Sequence, residues 1–216
     1  MRLQINESNE TQIAYTMQAL ELLSGWYRRP LVAGGAPLDW ILGRQARDVD
    51  IWVTAPGSML PDSHRLRSVQ HVFSVIDEDV VITDVTVNDI AYQSSPGASI
   101  RQVFEVTAKG VLFNVIFLDD FFTHGGFPIR CTRIQADYND LRQGWVFTSF
   151  SVEGDIVNKT LVVNPDVKPE YLAKYSEKFP DWSVRFPSTT DSADIFQTTV
   201  RGDMINWANI ARAYMS

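Results

Sequence analysis

The chain has 216 residues, 45% hydrophobic and 21% charged, with a formal net charge of −7. That balance excludes a disordered chain, and no apolar run reaches the roughly 18 residues a membrane span requires. The acidic charge argues against broad nucleic-acid binding through counterion release. The single cysteine, Cys131, permits no internal disulfide and fits a reducing cytoplasm. Residues 1–12 hold no apolar stretch of the kind that opens a secretory signal, so a cytoplasmic location is expected.

In chain order, Asn9-Glu10-Thr11-Gln12 reads as a capping box. Ile13, Met17, Leu20 and Leu23 then form the apolar stripe of an amphipathic helix ending before Trp26. Leu31 to Ala33 is a short buried strand stopped by Gly34-Gly35. Pro37 suits the first turn of a helix that carries Leu38, Ile41 and Leu42 and ends at Gly43. Val49, Ile51 and Val53 alternate with Asp48, Asp50 and Trp52, which is the period of a strand. Residues 58–76 read as a helix through Leu66, Val69, Val72 and Phe73, with His64 and His71 on its surface.

Strands follow at Val80–Thr83, Asp89–Gln93, Val103–Thr107 and Val111–Leu118, the last two joined by a turn at Ala108-Lys109-Gly110. Thr123-His124-Gly125-Gly126 reads as a loop. Pro128–Tyr138 reads as a further strand, and Trp145–Val152 with Lys159–Val163 as a hairpin. Residues 169–178 read as a short helix, Asp191 to Asp194 as a helix cap, and Met204–Met215 as a terminal amphipathic helix. The pattern predicts an α+β fold, a mixed sheet flanked by helices. A domain over residues 1–163 with a helical extension over 164–216 is the expected organisation.

Asp48 and Asp50, at i and i+2 of a strand, present carboxylates about 7 Å apart on one face. Two such groups repel unless a cation lies between them. Mg²⁺, or Mn²⁺, is a natural occupant, because hard cations take carboxylates together with substrate phosphates. In phosphoryl chemistry one ion activates the attacking oxygen while another holds the leaving phosphates. The Gly34-Gly35 turn lets backbone approach phosphates closely, and the helix after it points its N-terminus at them. Arg44 and Arg47 add cations nearby. Most aromatic residues fall in core positions. Trp52 shares the face of Asp50 and either lines a nucleotide pocket or covers a sheet edge.

The run Gly34-Gly35-Ala36-x-x-Asp39-x-x-Leu42-Gly43-Arg44-x-x-x-Asp48-x-Asp50-Ile51 resembles the catalytic signature of the DNA polymerase β-like nucleotidyltransferase superfamily. It is most similar to the head domain of CCA-adding tRNA nucleotidyltransferases and bacterial poly(A) polymerases. The chain also resembles small stand-alone nucleotidyltransferase-like proteins of bacteriophages, including its Phe147–Leu161 stretch. The resemblance implies a nucleotidyltransferase fold. It also implies nucleotide binding by Gly34, Gly35, Asp39 and Arg44, and metal binding by Asp48 and Asp50.

Two departures stand out. Leu38 replaces the arginine of the family's Arg-Asp pair. The family's third carboxylate is contested between Asn114, which would be a poor ligand, and Glu105, in a Glu-Val-Thr stretch like that of some CCA-adding enzymes. Glu105 is the expected third acid, with Asp84, Asp119 and Asp120 in reserve. The chain has no length for the helical neck, body and tail that grip tRNA, so CCA addition is not expected.

Two functions remain open. One is a metal-dependent enzyme that moves a nucleoside monophosphate from a nucleoside triphosphate to an acceptor hydroxyl, releasing pyrophosphate. The acceptor would be a small molecule, a protein side chain or an RNA end. The other is a catalytically degenerate relative that binds a nucleotide or a host protein.

Overall fold

A computed structural model describes residues 1–55, 61–85, 100–119, 122, 127–165 and 167–187. The strand expected at Asp89–Gln93, the 123–126 loop, Asp120, the 191–194 cap and the 204–215 helix lie outside these residues.

The elements are α1 (Glu10–Ser24), β1 (Leu31–Ala33), α2 (Gly35–Ile41), β2 (Val49–Thr54), α3 (Asp62–Ile76) and β3 (Val81–Val85), followed by β4 (Ile100–Ala108), β5 (Val111–Leu118), β6 (Gln135–Ala136), α4 (Tyr138–Arg142), α5 (Phe150–Val157), β7 (Thr160–Val162), α6 (Pro169–Lys178) and β8 (Ser183–Arg185). A 3-10 turn spans Arg130–Thr132. The main sheet runs β3-β4-β5-β2-β1-β6, and β7 and β8 form a separate parallel pair. Only β2 and β5 pair in parallel within the main sheet; its other described pairs are antiparallel. The architecture is α+β, a mixed sheet flanked by helices.

Alternation decides which face is which. Val32, Ile51, Val53, Phe104, Val106, Phe113, Val115 and Phe117 point into the main core, where α1 and α3 contribute Leu20, Leu23, Val69 and Phe73. The opposite face carries Asp50, Asn114 and Glu105 at one end and Trp52, Val103, Ile116 and Leu118 at the other. The β4–β5 hairpin turns at Lys109 (φ 49°) and Gly110 (φ 74°), two successive left-handed residues that match the twist of the strands.

Three local expectations need correction. Asn9 precedes α1 but makes no side-chain cap to it: its Oδ1 accepts from Asn6 N–H at 3.0 Å and its amide donates to Gln4 O. Gln12 is instead buried, accepting from Trp40 Nε1 and Ala46 N–H and donating to Ala46 O, each at 2.9 Å. It therefore fixes the connector that leads into Asp48. Pro128–Tyr138 is not one strand but a 3-10 turn, a two-residue strand and the start of α4. There Asp137 and Asp140 form a reciprocal capping box, each carboxylate accepting the other's backbone N–H at 3.0 Å. Of the hairpin expected from Trp145–Val152 with Lys159–Val163, the second arm is β7, which pairs with β8 instead, and α5 takes the place of the pairing between the arms. Ser149 caps α5, and Val152, Asp155 and Ile156 are buried at helical spacing.

Cys131 is fully buried, and burial first, then the charge of Asp155, pushes its thiol up to about 12 from an ordinary 9.0. A thiol-reactive dye at about pH 8 should therefore label it only as fast as the chain opens. Labelling at the rate of an exposed thiol would contradict this packing. Below about 9 the thiol is protonated in both states; as pH rises toward about 12 only the unfolded chain loses its proton, so stability falls across that window.

Candidate active site

β1 ends at Gly34, whose φ of 100° and ψ of −132° lie where side chains are strained. Its N–H donates to Ile134 O at 3.3 Å. A Cβ on Gly34 would sit 3.5 Å from Asp50 Oδ2 and 3.4 Å from the Phe127 ring. The turn thus brings bare backbone against the carboxylate at the centre of the sheet. Gly34→Ala should cost roughly 1–3 kcal/mol, readable by urea unfolding, from backbone strain and not from overlap. A variant as stable as the parent would show that the turn is not held in this conformation.

Asp50 is half-buried and accepts from Asn114 Nδ2 at 2.9 Å. Asp48 lies one residue before β2, partly exposed, with Arg47 Nη2 3.5 Å from its carboxylate. Glu105 pairs in register with Asn114, which itself pairs with Asp50. All three project from one face, but Glu105 stands two strands from Asp50, about 10 Å by ordinary strand spacing. Asp84 pairs with Phe104 and so projects from the other face, and Asp119 lies past the end of β5.

Among the described residues no three His, Cys, Asp or Glu side chains come together as a metal cluster. The candidate ligand set is the Asp48 and Asp50 carboxylates, only Asp50 lying against Gly34, with the Asn114 amide turning its N–H toward Asp50. That set suits one divalent ion whose remaining ligands are phosphates and water, and not an ion caged by three acids.

Asp39 and Arg44 are held together by α6. Asp39 is 1% exposed, and its carboxylate meets Arg44 Nη2 at 3.1 Å and the Lys178 ammonium. Burial raises its pKa, while the charges of Lys178 and Arg44 pull it back. Arg44 also lies 4.5 Å over the Phe179 ring. Gly35 meets α6 as well: a Cβ there would be 3.4 Å from Tyr175 Oη. Tyr171, one helical turn earlier, packs its ring against Tyr175 at 5.2 Å between centroids, the planes tilted by 35°. Burial raises both phenols, and the charge of Asp50 adds to each.

These tyrosines were missed by sequence reasoning, although their i, i+4 spacing on the helix expected at 169–178 placed them on one face. Trp52, 3% exposed, packs against Phe122 and Phe127 at 5.1 and 5.8 Å between ring centroids, so among the described residues it covers the sheet. No described helix is long and apolar enough to cross a membrane.

No protein-family model and no curated protein matches the chain. Solved structures do. A tRNA-processing enzyme in an apo form aligns with 93% of this chain at 12% identity and TM-score 0.53, over 49% of its own length. A CCA-adding enzyme in complex with CTP aligns with 94% at 12% identity and TM-score 0.52, over 45% of its length. A tRNA nucleotidyltransferase complexed with a primer tRNA and an incoming ATP analog aligns with 86% at 10% identity and TM-score 0.51, over 51% of its length. The chain has a nucleotidyltransferase-type fold. It spans about half the length of the structures it matches.

Proposed function

We propose that the protein is a metal-dependent nucleotidyltransferase, transferring a nucleoside monophosphate from a nucleoside triphosphate to an acceptor hydroxyl with release of pyrophosphate. The observation that carries the reading is the left-handed Gly34 turn set directly against Asp50 Oδ2. In a fold shared with nucleotidyltransferases, that contact puts close-approach backbone and an anionic ligand on the same few ångströms of surface.

In this reading Gly34 and Gly35 take the triphosphate, and Asp48 and Asp50 hold Mg²⁺ or Mn²⁺, which supplies charge neutralisation at the phosphates when bound. Asn114 orients Asp50 through its amide. Asp39 and Arg44 shape the wall beside α6, and Glu105 acts across Asn114 from the edge of the site. Residues 1–163 form the nucleotidyltransferase-like domain and 164–216 its extension, which supplies α6. The acceptor is a small molecule, a protein side chain or an RNA end, and the net charge of −7 disfavours a long RNA. We place the protein in the cytoplasm, that of the host where it is phage-encoded.

One observation favours a second reading. Asn114 on the neighbouring strand donates its amide to Asp50, which suits a relative that binds a nucleotide without turning it over. Calorimetric titration with ATP, CTP, GTP and UTP, each with and without Mg²⁺, tests both. Magnesium-dependent binding of at least one nucleotide is expected. Equal binding without metal would favour the second reading, and no binding to any of them would overturn the first.

A further inference from the structure

Asp39 belongs to the run that resembles a nucleotide site, yet its carboxylate is turned inward. It is 1% exposed, Arg44 Nη2 donates to its Oδ1 at 3.1 Å, and the Lys178 ammonium donates to its Oδ2. Asp39 lies one helical turn after Gly35 on α2, and α6 meets α2 at both positions. Tyr175 Oη stands 3.4 Å from the place a Cβ would take on Gly35. Lys178, three residues further along the same side of α6, holds Asp39. Phe179, which follows α6, lies 4.5 Å from the Arg44 guanidinium, the other partner of Asp39. α2 has only seven residues and no side-chain cap at Gly34. A helix so short takes its stability from what packs on it, so contacts from outside decide where its first turn sits.

We propose that Lys178 is a positioning residue for the glycine turn: through Asp39 it ties α6 to α2 and keeps Gly34 and Gly35 where a triphosphate would lie. The triphosphate rests on the nucleotidyltransferase reading, whereas the link from Lys178 to the turn rests on contacts within the chain. Asp39 is then the anchor of that link and not a ligand. A lysine that served the phosphates directly would act whether or not Asp39 carried its charge; a positioning lysine acts only through that carboxylate.

Gly34 reports on the turn. Its N–H donates to Ile134 O at 3.3 Å, long for such a bond, with φ held at 100°. Without Lys178, Asp39 keeps Arg44 alone, and the grip of α6 on α2 is reduced to Tyr175 at Gly35. The Gly34 bond should then open more often while the core of α3, on the other side of the sheet, stays closed.

The first test is amide hydrogen exchange of the full chain without ligand, followed at Gly34 and, as a core reference, at Val72. Lys178→Met should speed exchange at Gly34 at least about tenfold beyond any rise at Val72. Lys178→Arg should stay within about threefold of the parent, and so should Lys174→Met, which removes an exposed lysine from the same helix. The second test is calorimetric titration with ATP, CTP, GTP or UTP and Mg²⁺. Lys178→Met should weaken nucleotide binding about tenfold, the low end of the effect of losing an outer supporting partner. Added to Asp39→Asn, it should weaken binding less than about threefold further, because the two act in one chain of contacts. If Lys178→Met does not fold, Lys178→Gln carries the same comparisons. A Gly34 amide that exchanges no faster than Val72 requires would overturn the proposal. So would nucleotide affinity unchanged by Lys178→Met, or a full tenfold loss on the Asp39→Asn background, which would make Lys178 a direct ligand. If the parent binds no nucleotide, the nucleotidyltransferase reading falls, and exchange at Gly34 alone decides whether Lys178 holds the turn.

Discussion

Asp155→Ala should destabilise the chain by about 3–5 kcal/mol, the ordinary result of removing one partner from a buried ion pair. Arg130 Nε and Nη2 donate to the two oxygens of Asp155 at 2.6 Å each, and the residues are 5% and 4% exposed. The pair joins the 3-10 turn to α5, and four residues after Arg130 the carbonyl of Ile134 accepts the N–H of Gly34. Loss of the carboxylate should therefore loosen the glycine turn as well as the core. Its charge also moderates the crowding of Arg133, whose pKa is lowered first by burial and then by Arg130. Urea unfolding followed by tryptophan fluorescence gives the size of the effect, and labelling of Cys131 gives a second measure from inside the same cluster. The double variant Arg130→Met/Asp155→Leu should recover most of the loss, because replacing both charges removes the desolvation problem. A loss under about 1 kcal/mol for Asp155→Ala, the value of an exposed pair, would show that the pair is hydrated.

That ion pair was not legible in the sequence, whereas the elements around it were legible to different degrees. The Gly-Gly stop, the alternation from Val49 to Val53 and the turn at Lys109-Gly110 are local signals, and the structure keeps all three. Their information lies within a few residues, where periodicity and left-handed φ decide the outcome. Residues 128–157 depart from the expectation because two competing local signals are present there, whereas the strand expected at Lys159–Val163 is found as β7. The reciprocal Asp137–Asp140 cap and the Ser149 cap each start a helix inside stretches with apolar residues at strand-like spacing. Capping energy and helical burial won over alternation there. At Asn9 the opposite happened: the capping signal was present, but Gln12 gains more by satisfying Trp40 and Ala46 in the core than by reaching back to the helix start.

The candidate site divides along the same line. Gly34 and Asp50 were found because their spacing is a local motif, and their contact across two strands follows from it. Which residue stands beside Asp50 depends on the register between β2 and β5, and which residue covers Gly35 depends on the docking of α6 more than a hundred residues later. Neither is written in any short stretch of chain. A third carboxylate was sought by motif at Glu105, and pairing instead seats Asn114 between the two.

Asp50→Asn should lower magnesium-dependent nucleotide affinity by at least about a hundredfold, to the level measured without metal, while leaving the fold intact. The substitution keeps an oxygen for Asn114 Nδ2, so the hydrogen bond to the neighbouring strand survives. It also removes the repulsion between Asp50 and Asp48, and the unliganded variant should melt at or slightly above the temperature of the parent. That combination, unchanged stability with lost metal response, separates a ligand from a structural residue. Glu105→Gln should change affinity by less than about threefold, because two strand spacings separate it from Asp50; a loss as large as that of Asp50→Asn would return it to the metal site. Asn114→Asp runs the argument in reverse. It places a carboxylate beside Asp50 at hydrogen-bonding distance, which costs stability in the absence of metal and should tighten Mg²⁺ binding about tenfold or more. If Mg²⁺ affinity instead stays flat while stability falls, the Asp48–Asp50 face is not a cation site, and the second reading, nucleotide binding without transfer, takes the place of the first.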